Sequence, residues 1–106
     1  MAKLTTLGAA VALTAAVAQT GVAMNATPFS PGFNAIATIN LTGATGTPTV
    51  KVQGSTDAAF TTPVDLMTVA AITATTVKAE VVLMAYMRLN VTAVGTAGTA
   101  SAWIEA

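Results

Sequence analysis

Thr49-Val50-Lys51-Val52-Gln53-Gly54-Ser55-Thr56-Asp57-Ala58-Ala59-Phe60 reads as a strand, a turn and the start of a second strand. Val50 and Val52 alternate with Thr49, Lys51 and Gln53, which gives one apolar and one polar face. Gly54, Ser55 and Asp57 then supply backbone freedom and side-chain hydrogen bonds of the kind that stop a strand and turn the chain. Phe60 and Val64 resume the apolar pattern. Upstream, Phe33, Ala35, Ala37, Ile39 and Leu41 fall on one face of a second strand, with Asn34, Thr38 and Asn40 on the other. The glycine- and proline-containing segment from Thr42 to Pro48 separates the two, and the expected arrangement is a hairpin.

Downstream, strands are expected over Leu66–Ile72, Val77–Met84, Met84–Val94 and Thr99–Glu105, with turn signals at Pro63 and at Gly95-Thr96-Ala97-Gly98. Met87, Leu89, Val91 and Ala93 oppose Tyr86, Arg88, Asn90 and Thr92. Strands at roughly ten-residue spacing with turns between them predict an all-β chain, an antiparallel β-sandwich of jelly-roll or immunoglobulin-like form. Met1 to Thr20 fits two periods. Leu4, Leu7, Val11, Ala15 and Ala18 share a helical stripe, while Val11, Leu13, Ala15 and Val17 alternate as in a strand. The extended reading is preferred, so residues 1–24 are expected as an N-terminal arm or edge strand and residues 25–106 as the sandwich, in one domain overall.

At 106 residues the chain is one domain by size, and it contains neither cysteine nor histidine. That removes disulfide staples, thiolate nucleophiles, the usual zinc ligands and the commonest general base. No cofactor is expected. Lys3, Lys51, Lys78 and Arg88 balance Asp57, Asp65, Glu80 and Glu105, and charged residues make up only 8% of the chain. Ordinary domains carry about a quarter. A near-neutral surface rich in Thr and Ala is poorly protected against association. Four scattered cations do not form the basic stripe that nucleic acid requires. Alanine is the most numerous residue in the apolar fraction behind the mean hydropathy of +0.72. The dense apolar run from Leu7 to Ala18 covers about half of a membrane-spanning helix, so no span is expected. Lys3, the Leu7–Leu13 run and Ala16-Val17-Ala18 imitate the plan of a secretory signal, yet the segment is read as part of the fold.

Asp57 and Asp65 are the only paired acids near the central strand, and catalysis by them is discounted for want of groups that would tune them. Ser55, Thr56 and Asp57 could be imagined around calcium, but that ion wants six to eight oxygens and several carboxylates. Asp57 is expected instead to make a turn hydrogen bond. The N-x-[ST] triplets at Asn25, Asn40 and Asn90 are expected to carry nothing. Arg88 could stack beside Tyr86 or pair with Glu80 on a neighbouring strand, and Trp103 is expected to fill the core or an interface.

The run Val50-Lys51-Val52-Gln53-Gly54-Ser55-Thr56-Asp57-Ala58-Ala59-Phe60, then Met87-Arg88-Leu89-Asn90-Val91-Thr92, then Gly95-Thr96-Ala97-Gly98-Thr99-Ala100 resembles small tailed-bacteriophage virion proteins. The likeness extends from Phe33 to the C-terminus, and its hairpin is shared with discoidin-like carbohydrate-binding sandwiches. Ala58 and Phe60 stand where glycine and tryptophan often follow the aspartate in the commoner pattern. What the resemblance implies is a non-enzymatic capsid decoration (cement) or head accessory protein, placed on the capsid exterior, bound to the major capsid protein and assembled as a trimer or dimer. Leu4, Leu7, Val11 and Leu13 would then be subunit or capsid contacts, unless the segment completes its own sheet. The alternative is a receptor- or glycan-binding module of a fiber, tail or secreted protein.

Overall fold

A computed structural model of the chain describes residues 4–24, 31–70 and 75–105, the side chain of Leu4 excepted. Eight strands follow one another: β1 (Leu4–Ala12), β2 (Val22–Ala23), β3 (Asn34–Thr45), β4 (Thr49–Ser55), β5 (Val64–Ala70), β6 (Thr76–Val82), β7 (Tyr86–Ala93) and β8 (Ala97–Glu105). They form two antiparallel four-stranded sheets, in the orders β1-β8-β3-β6 and β2-β7-β4-β5.

That order has a simple logic. The first four strands run out and the last four return, so β1 meets β8, β2 meets β7, β3 meets β6 and β4 meets β5. A long hairpin rolled in this way is the jelly roll. Of the two sandwich forms expected from the sequence, the strand order therefore selects this one.

Alternation builds the core. Ala37, Ile39, Ala102 and Ile104 point inward from the first sheet and Val50, Val52, Leu89 and Val91 from the second, all essentially without solvent contact. Their polar neighbours point outward, as period-two patterning requires.

One expectation fails. β4 does not form a hairpin with β3: it lies between β5 and β7 in the second sheet, while β3 lies between β8 and β6 in the first. The segment between β3 and β4 is a corner that carries the chain across the sandwich. Thr96 N donates to Thr45 O at 2.9 Å and Pro48 is buried, which fixes the corner against the loop before β8. Gly98 lies close by with φ +101°, and a Cβ there would come within 2.5 Å of the Ala44 Cα, so only glycine fits.

Residues 4–24 are part of the sandwich. β1 is the edge strand of the first sheet, paired along β8, and β2 is the edge of the second, paired with β7. Leu7 and Leu13 are core side chains, 4% and 0% exposed, and Val11 is half-buried against the same core. Leu13 is further held by its N–H on Gly98 O at 3.0 Å and its carbonyl under Gly95 N at 2.8 Å. The β1 segment thus completes its own sheet, and its leucines at positions 7 and 13 face the interior, not a neighbour. Leu4 pairs with Glu105 through its backbone. Among the described residues, no helix is long and apolar enough to cross a membrane.

Candidate functional site

The densest polar constellation stands on the outer face of the second sheet, where β5, β4 and β7 lie side by side. Gln53 sits at its centre because residue 53 is an outward position on an inner strand, opposite Asp65 of β5 and Arg88 of β7. Its amide is used at both ends. Gln53 Nε2 donates to Asp65 Oδ1 at 2.8 Å, while Gln53 Oε1 accepts from Arg88 Nε at 2.9 Å and from Asn90 Nδ2 at 3.1 Å. Lys51 Nζ closes the row on Asp65 Oδ2 at 2.6 Å. A continuous chain of hydrogen bonds therefore crosses three strands, and Gln53 is buried beneath it at 6% exposure.

The loop after β4 adds an aromatic floor. Phe60 adopts φ +51°, an uncommon conformation for a side-chain-bearing residue, at the end of a turn closed by Phe60 N on Asp57 O at 3.2 Å. This turns its ring under the Arg88 guanidinium, 4.2 Å from the ring centroid. Arg88 thus stacks on Phe60 and bonds to Gln53, and Tyr86 and Glu80 are not its partners; Glu80 belongs to the other sheet.

Asp57 organises that loop. Its Oδ1 accepts from Ser55 Oγ at 2.7 Å and Thr61 N at 3.2 Å, and its Oδ2 accepts from Thr61 Oγ1 at 2.7 Å. The expected turn hydrogen bond is present. Bonds from Thr61 and then Ser55 hold the Asp57 carboxyl below its ordinary range. Lys51 and then Gln53 do the same for Asp65, chiefly by hydrogen bonding. Both carboxyls are stabilised as anions, the opposite of the environment that keeps a general acid protonated. A cation at Ser55, Thr56 and Asp57 would have to displace the donors already on the carboxylate. Among the described residues, no group of three or more acidic side chains gathers as a metal would require.

The outer face of the first sheet is different in kind. Trp103 lies half-buried there between Thr6 and Thr38, so it does not fill the core. Thr38 is fully buried on this outward side, and its Oγ1 donates to Glu105 Oε1 at 3.1 Å. Lys78 Nζ reaches the same oxygen at 2.7 Å, and together these bonds, Lys78 first, depress the Glu105 carboxyl. Asn40 Oδ1 accepts from Thr76 Oγ1 at 2.9 Å, so the described asparagines of the N-x-[ST] triplets, Asn40 and Asn90, both serve cross-strand bonds. Asn25 lies outside the described residues.

The sequence reading missed Gln53 as a hub and Phe60 as the base of the arginine stack. Residue parity marks Gln53 as an outward side chain, but Asp65 and Arg88 come opposite it only through the strand pairings of the fold. No family model, curated protein or solved structure matches the chain, so the resemblance to phage virion proteins gains no support from comparison and the site is read from its own geometry.

Proposed function

We propose that the protein is a non-enzymatic structural protein of a virion, which decorates a bacteriophage capsid by bridging capsid subunits as a homo-oligomer. The observation that carries this reading is the rolled strand order, an architecture used by viral capsid proteins. The charge arrangement agrees with it. Lys51 is paired with Asp65 and Lys78 with Glu105 within the chain, so the sheets present near-neutral, Thr-rich faces suited to broad contacts more than to steering a charged ligand. Its mechanism is mass action: binding the assembled shell and not its dissociated subunits stabilises the shell. Added to undecorated shells of the same virus, the protein should co-sediment with them and raise their melting temperature. Absence of binding overturns the proposal.

A second reading draws on one feature. Jelly rolls also serve lectins, and the half-exposed Trp103 on a sheet face is an amphipathic surface for a sugar ring. A glycan-dependent shift in Trp103 fluorescence, with no binding to shells, favours that alternative.

A further inference from the structure

β6 is the last strand of the first sheet, and among the described residues no strand pairs with its outer edge. Its register against β3 decides which backbone groups face outward. Leu41 N donates to Thr75 O at 2.6 Å and Leu83 N donates to Phe33 O at 2.9 Å, at the two ends of the ladder. Hydrogen-bonded and non-bonded pairs alternate between those ends. Val77, Ala79 and Val81 therefore direct their N–H and C=O groups at β3. Thr76, Lys78, Glu80 and Val82 direct theirs to the open edge, and the side chains of these four are also the exposed ones.

We infer that this edge is a self-complementary contact, in which β6 pairs antiparallel with β6 of a second copy about a two-fold axis at Ala79. In this register Lys78 faces Glu80 of the second copy and Glu80 faces Lys78 of the second copy. Thr76 and Val82 face each other in the same way. All four are positions whose backbone groups point outward, so each facing pair exchanges two hydrogen bonds. Val77 meets Val81 of the second copy on the inner face, and the two Ala79 residues meet on the axis. Sliding the strands by two residues in either direction sets Lys78 against Lys78 of the second copy or Glu80 against Glu80 of the second copy, and like charges directly opposite are destabilising. Sliding by one residue sets outward backbone groups against inward ones and reverses the faces.

The charges of this strand make sense in that light. Lys78 already has Glu105 of its own chain at 2.7 Å, whereas Glu80 has only the 3.4 Å bond from Asn34 Nδ2 and no ion pair among the described residues. A cation from the second copy supplies what Glu80 lacks. Alternating like charges along an edge would repel another strand, but a lysine and a glutamate placed symmetrically about an alanine attract their own copy. The result is one continuous eight-stranded sheet across two sandwiches, an isologous interface of the commonest symmetry. The contact gives a surface to the oligomer that the capsid reading calls for. It is measured on the isolated protein, so failure of shell binding and failure of this contact are read separately.

Two single variants test the charge pairing. Lys78→Glu and Glu80→Lys each place like charges opposite one another at both symmetric positions, and each should weaken dimerisation about tenfold or more by sedimentation equilibrium. Mixed in equal amounts they should dimerise again, because each then offers the charges the other needs. Melting curves of the separate variants show that both remain folded. The register is tested in a chain that has no native cysteine. Ala79→Cys should form a disulfide-linked dimer under mild oxidation, since facing non-bonded residues lie within disulfide reach, and Val77→Cys should not. A wild-type chain that stays monomeric at about 100 µM, a variant mixture that stays monomeric, or cross-linking as efficient at position 77 as at 79 overturns the inference.

Discussion

Gly54 shows how one residue changes meaning once its neighbours are known. It sits inside β4, not in a turn, and a Cβ on it would come within 2.7 Å of Met84 Sδ and 3.0 Å of Leu66 Cδ1. Its role is to let a methionine lie flat on the strand. Gly54→Ala should therefore destabilise the fold by about 1 kcal/mol, partly relieved because methionine is flexible. In a Met84→Ala background the same change should cost less, and urea denaturation of the four proteins measures that coupling. The three depressed carboxyls make a second prediction. Asp57, Asp65 and Glu105 each titrate lower in the folded chain than in the unfolded one. Between the two values the unfolded chain binds more protons, so the stabilisation is complete above the ordinary carboxylate range and is lost as pH falls below it through the lowered folded-state values. The urea midpoint should hold from neutrality down to about pH 5 and decline below about pH 4. Asp57→Asn should lower the midpoint at pH 7 and lose less on acidification than the wild type.

At the scale of strands, Gln53 is the tie that holds β5, β4 and β7 in register. Gln53→Ala removes three hydrogen bonds and leaves Arg88 Nε, Asn90 Nδ2 and Asp65 Oδ1 without that partner. A loss of about 2 kcal/mol is expected, since partly satisfied networks cost more than a single bond. Gln53→Glu makes the contrast: it keeps an acceptor for Arg88 but sets a carboxylate against Asp65, so mild acid should recover part of its loss while the alanine variant recovers none. The strands themselves were legible in the sequence because Val50 and Val52, or Met87, Leu89 and Val91, alternate so cleanly that burial follows from parity. Their partners were not legible. The Gly43–Pro48 segment has the composition of a hairpin loop, and only the docking of Thr96 on Thr45 reveals a corner that sends β4 to the other sheet. The Asp57 turn was readable because it is local. The Gln53 network was not, because Asp65 and Arg88 approach it only after two non-local strand pairings have formed.

The whole molecule depends on its first 24 residues in a way their alanine-rich composition conceals. β1 and β2 each form one edge of a sheet, and Leu7, Leu13 and Met24 are core side chains no more than 4% exposed. Burial of three such side chains contributes roughly 5–9 kcal/mol. That is comparable with the entire stability of a domain of this size, about 5–15 kcal/mol. Removing the segment would also strip the pairing from β8 and β7, exposing two long apolar-backed edges at once. A chain beginning at residue 25 should therefore fail to fold: its amide spectrum should lack dispersion, its urea curve should lack a cooperative transition, and it should aggregate through the uncovered edges. Adding residues 1–24 back as a separate peptide should restore part of the dispersion, because the missing strands would still find β8 and β7 open. A well-dispersed spectrum from the shortened chain alone would instead mean that β3 to β8 form a self-sufficient sandwich and that the first strands are an appendage to it.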